Sequence, residues 1–153
     1  LIERADKTSR ILDVKYFNLL PSVKDVGTSI DDLQWSALLL AISGFEAYRR
    51  EHHLIEINKV VEFFLFNRCF PRSILFCVTG VLDSLQEIET LSGFEAKGHA
   101  KGEAESLAME LNQTNVQEVL RTGMHEFIDS LQVRLNTIGH CVNQDYLYTK
   151  TDG

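Results

Sequence analysis

Little in this sequence interrupts a helix. Only two prolines and nine glycines occur in 153 residues, too few for the turns of a many-stranded sheet, so long helices are expected. No run of 18 or more apolar residues exists, which excludes an ordinary membrane-spanning helix. The longest greasy stretches, 35–42 and 60–66, have the length of core helices. An excess of positive charge is missing too. With 15 Lys and Arg against 22 Asp and Glu the formal charge is -7, which argues against a nucleic-acid binder, because duplex affinity comes largely from neutralised phosphates. Cysteines are few: Cys69, Cys77 and Cys141, an odd number without CxxC spacing. They are expected to be buried, reduced thiols of a cytoplasmic protein. A secretory signal is absent. The chain opens at Leu1 inside a helical pattern and without an initiator Met, as a domain cut from a longer protein would.

What is present reads as globular and helical. Hydrophobic residues make 44% of the chain and charged residues 24%, a composition far from the disordered class. The length suits one domain, expected over 1–147, with a tail at 148–153. A stripe of Leu1, Ala5, Thr8, Leu12, Tyr16 and Leu19 predicts a helix over 1–20, ended by Pro21. Thr28 or Ser29 can cap a second helix reaching Ile42, with Asp31 and Asp32 in the first turn, where negative charge suits the dipole. Ser43-Gly44 marks a break before a short helix over 45–50. Val60, Val61, Phe63, Phe64 and Leu65 predict a helix over 57–66 that is buried nearly all round. Pro71 suits the first position of the next helix, running over 72–91 and burying Ile74, Leu75, Val78, Leu82, Leu85 and Ile88. The stretch 92–102, with three glycines, reads as a loop or a poorly packed helix start, followed by a helix over 103–111. Asn115, with Glu118 three residues on, starts one long final helix. Its stripe is Val116, Leu120, Met124, Phe127, Leu131, Leu135, Ile138 and Val142. The expected fold is all-α, an up-and-down bundle of about five to six helices.

Three charged groups are candidates for function. On the first helix Glu3, Asp6, Arg10 and Asp13 follow at steps of three and four and share a face, flanked by Arg4, Lys7 and Lys15. They either form ordinary solvated pairs, or Glu3-Arg4 and Arg10-Asp13 turn inward as a buried network. Before the fourth long helix stand Arg68 and Arg72, around Phe70-Pro71. Two guanidinium forks beside a helix N-terminus can hold a carboxylate or phosphate; otherwise they snorkel over apolar residues or pair with acids of the first helix. The third group is His125-Glu126. Position 129 is Asp129, so the HExxH zinc pattern is absent and no metal site is expected. Phosphate-binding glycine loops, a GxSxG elbow, EF-hand loops and paired ExxH motifs are absent as well, and no cofactor is expected. As an enzyme, the chain would clamp an anionic substrate with Arg4, Arg10, Arg68 and Arg72. Glu3 or Glu126 would then serve as general base beside His125, with Asp13 in the same network.

The segment Leu1-Ile2-Glu3-Arg4-Ala5-Asp6-Lys7-Thr8-Ser9-Arg10 resembles the Alpha-E family, bacterial α-helical proteins named for a Glu-Arg motif. Asp32-Leu33-Gln34-Trp35, Phe45-Glu46-Ala47-Tyr48-Arg49-Arg50, Phe70-Pro71-Arg72-Ser73-Ile74 and His125-Glu126-Phe127-Ile128-Asp129 extend the likeness to about residue 140. Glu3 and Arg4 are the residues the motif carries over. The resemblance implies a C-terminal half of a longer protein. It also implies neighbours resembling ATP-grasp ligases and transglutaminase-like proteases, and hence an accessory role in making or processing a peptide. At Asn67-Arg68 this chain departs from the family, whose members often place an acid before that arginine.

Overall fold

In the computed structural model the described residues are 1–18, 29–93 and 98–147. The expected stop at Pro21, the Thr28 cap and the tail at 148–153 lie outside them. Among the described residues there are eight α-helices, a closing π-turn and no strand. They are α1 Ile2–Asn18, α2 Ser29–Ala41, α3 Phe45–Glu51, α4 Ile57–Phe66, α5 Ile74–Ser92, α6 His99–Gln113, α7 Val116–Thr122 and α8 Met124–Val142, with the π-turn at Asn143–Leu147. The chain is all-α, with more helices than the periodicity suggested.

Four helices form the bundle. α1 packs against α5 and α8, and α6 closes the ring by packing against the same two. Side-chain contacts give the directions. Thr8 meets Arg72 while Leu1 lies on Gly80, and Asp13 meets His125 while Ile2 lies near Gly139. α1 is therefore antiparallel to both neighbours. Lys101 reaches Gln86, and Arg68, just ahead of α5, reaches Asn112. Asp145 meets Ala100, and Arg134 meets Glu110. So α6 also opposes α5 and α8, and every adjacent pair alternates in direction, as short connections favour. α4 packs against α1, α2, α5, α6 and α7 at the end where α5 begins. That position explains its sequence: Val60, Val61, Phe63, Phe64 and Leu65 are all buried.

The extra helices have local causes. Gly123 adopts φ +115, which separates α7 from α8 where one long helix was expected; a Cβ there would also lie 2.1 Å from the Glu126 Oε2 that folds over it. Asn115 caps α7 as read from the sequence, accepting from the Glu118 N–H at 3.0 Å. Val119, not Leu120, is the buried position. The helix expected from Arg72 starts instead at Ile74, because the Ser73 hydroxyl caps it by accepting from Phe76 N–H at 3.1 Å. Pro71 and Arg72 stay in the turn, which the Asn67 side chain ties by accepting from the Cys69 and Phe70 N–H groups at 2.9 and 2.7 Å. Ile88, expected inside, is exposed. Gly44 ends the α2–α3 break within 2.9 Å of Phe70 and 3.1 Å of Phe63, measured from where a Cβ would stand, so a side chain there would displace a core ring.

The weak stretch 92–102 holds the start of α6, at His99 and not at Glu103. Gly98 offers no side-chain cap. The carboxylate of Asp145, buried in the π-turn, supplies one from 45 residues away by accepting from Ala100 N–H at 2.9 Å, where negative charge suits the helix dipole. Tyr146, just ahead of the expected tail, donates to Glu89 at 2.9 Å. Burial first, and then this hydrogen bond to an acid, push its phenol up to about 12 from the ordinary 10.0. The neutral phenol is thus favoured by folding. Its contribution is fully present below pH 10 and is lost as pH rises through about 12. Denaturant unfolding followed as a function of pH should show this alkaline fall, and Tyr146→Phe should make it shallower.

The three cysteines are free. Cys77 is buried and its thiol pushed up by that burial, Cys141 is half-buried, and Cys69 is exposed, contrary to expectation. No helix among the described residues is long and apolar enough to cross a membrane.

Candidate functional site

The proposed meeting of the first helix with the arginines takes place only in part. An open cleft of about 420 Å³ lies between α1, the end of α2 and the turn before α5, with Glu3, Arg4, Lys7 and Arg72 on its walls and Ile11 and Ile42 on its floor. Two hydrogen bonds hold the turn against α1. Arg4 Nη1 donates to the Pro71 carbonyl at 3.0 Å, and the buried Thr8 hydroxyl donates to the Arg72 carbonyl at 2.8 Å. The helix thus positions the turn by its backbone, which leaves the Arg72 side chain at the cleft. Glu3, Arg4 and Arg72 are exposed, so no buried network forms at the Glu-Arg pair.

The other arginines lie elsewhere. Arg10 is exposed and pairs with Asp6 along the helix at 2.8 Å, a bond that holds its proton more firmly. Arg68 bonds the Asn112 side chain and borders a different cleft. Asp13 pairs with His125 Nδ1 at 3.0 Å and so joins α1 to the start of α8. Glu126 is exposed beside Gly123. From Glu3 to Asp13 is ten residues, about 15 Å along the helix axis. Of the acid and base candidates only Glu3 therefore stands beside Arg4 and Arg72, while Asp13, His125 and Glu126 lie away from them. Among the described residues no group of three His, Cys, Asp or Glu is placed to hold a metal ion.

The buried ionic pair of α1 is one the charged-face reading passed over. Lys15 Nζ bonds Asp31 Oδ1 at 2.7 Å, with both side chains 3% exposed. It also reaches the Gln34 side chain and stands 5.1 Å over the Trp35 ring, a cation–π arrangement. A signal existed. Lys15 continues the stripe Ala5, Thr8, Leu12 by a step of three, so a lysine occupied a core-facing position. Its partner Asp31 was read as a dipole-compensating acid.

No curated protein and no solved structure matches this sequence. A family model does: Alpha-E, a predicted alpha-helical domain with a conserved ER motif, over residues 1–147. The match gives no support to the expectation that the chain is the C-terminal half of a longer family member. It spans every described helix, and the chain belongs to the Alpha-E family.

Proposed function

We infer that this domain is a non-catalytic accessory or interaction module, whose Glu-Arg cleft docks on a partner. The partners suggested by the family likeness are an ATP-grasp-like ligase and a transglutaminase-like protease that make or process a peptide. One observation carries the reading: the candidate acids and bases are dispersed, with Glu3 at one end of α1 and Asp13, His125 and Glu126 at the other, while a general base must lie within hydrogen-bond reach of the group it serves. Arg4 and Arg72 share one open cleft and retain donors for an acidic surface. Binding of the purified chain to each candidate enzyme tests this. Arg4→Ala and Arg72→Ala should each weaken the complex about tenfold or more with helicity intact. Unchanged affinity for both enzymes overturns it.

A second reading has its own support: in a chain of charge -7, the cleft gathers Arg4, Lys7 and Arg72 against one acid, Glu3. It would hold a small anion without Arg10 or Arg68. Titration with inorganic phosphate or acetate, repeated with Arg72→Ala, separates the two.

A further inference from the structure

A second cleft, of about 360 Å³, runs along α5 toward α6 and shares no lining residue with the Glu-Arg cleft. That volume is at the small end of the range that ligand pockets span. Its floor includes Phe76, Thr79 and Asp83 of α5, which stand at i, i+3 and i+7 and so line one face. The cleft carries opposite charges at its two ends. At one end is Arg68, bonded to the Asn112 side-chain oxygen. The amide of Asn112 is itself oriented, because its Nδ2 donates to the Ala108 carbonyl at 2.7 Å. At the other end is the exposed carboxylate of Asp83, which makes no ion pair among the described residues.

The antiparallel register fixes their separation. Lys101 reaches Gln86 and Glu89, so Asn112, eleven residues further along α6, lies at the level of Phe76. From Phe76 to Asp83 is seven residues, about 10 Å of helix. Charges that far apart do not fit a free amino acid, whose ammonium and carboxylate share one carbon. They fit an extended chain of about three residues, at roughly 3.3–3.6 Å each. We propose that this cleft binds a short linear peptide with both ends free, its carboxylate on Arg68 and its ammonium on Asp83. The apolar face of Phe76 and Leu75 lies beneath the carboxylate end, and Thr79 offers a hydroxyl midway. This site is independent of the Glu-Arg docking cleft.

Calorimetric titration of the whole chain with trialanine, N-acetyl-trialanine and trialanine amide tests the assignment. Trialanine should saturate one site, and blocking either end should weaken it about fivefold, the worth of one exposed charge pair. Arg68→Ala and Asp83→Ala should each cost the same factor. The cycle gives the sharper result: Asp83→Ala should no longer distinguish the acetylated peptide, and Arg68→Ala should no longer distinguish the amide. Failure of trialanine to saturate overturns the proposal, as does equal binding of the blocked peptides or retention of end discrimination in the matching variant. Circular dichroism checks folding; if either alanine variant loses helix, Asp83→Asn and Arg68→Gln repeat the cycle with side-chain shape kept.

Discussion

Lys15→Met should destabilise the fold by about 3–5 kcal/mol, the cost of stripping one partner from a buried pair. The Nζ–Asp31 contact at 2.7 Å is almost wholly out of water, and the same ammonium lies over Trp35. Removing it leaves the Asp31 carboxylate buried without its cation, while methionine keeps the length of the side chain. Lys15→Met combined with Asp31→Leu should recover most of the loss, since a well-packed apolar pair often matches a buried ionic one. The contrast with the rest of α1 is direct: Arg10→Ala breaks only the solvent-exposed pair with Asp6 and should leave the unfolding midpoint unchanged. Urea unfolding of the parent and the three variants checks both claims. A midpoint for Lys15→Met equal to that of the parent would show that the pair contributes nothing.

Phe64→Ala should cost about 3–5 kcal/mol as well, by lost transfer free energy and the cavity left behind. Its ring is 0% exposed on the helix that packs against five others, so no single neighbour can move in to fill the space. The neighbouring aromatics are already committed: Phe63 stacks on Phe70 at 4.6 Å and meets Tyr48 edge-on at 5.6 Å. Leu33→Ala, at a position 70% exposed, is the matched control and should change stability by no more than about 0.5 kcal/mol. If the two substitutions shift the midpoint equally, α4 is not the central element of this core.

Much of the architecture was open to reading. The run 57–66 gave α4 to the residue, because Val60, Val61, Phe63, Phe64 and Leu65 leave only the side of Asn58 and Glu62 for solvent, a pattern that suits a largely buried helix. The Ser43-Gly44 break and the Asn115 cap were equally legible, since each rests on the chemistry of adjacent residues. One boundary was missed because the deciding group is far along the chain, another because two nearby residues both suit a helix start. α6 begins four residues early because Asp145 receives Ala100, a partnership no local window contains. Pro71 was placed inside a helix that Ser73 begins two residues later, since a proline and a serine both suit a helix start and only the Asn67 turn chooses between them.

The same division holds for the charged groups. Residue spacing alone shows which of them share a face of α1, because helical period is a property of the backbone. It says nothing about what faces them. Tertiary packing sends Arg4 and Arg72 to one cleft, Arg68 to another, Asp13 to His125 and Lys15 into the core. Charge is long-ranged and indifferent to sequence distance, so the partner of each ionised side chain follows from which helices the apolar stripes bring together. The helices are written in the order of the residues; the sites between them exist only once the bundle has closed.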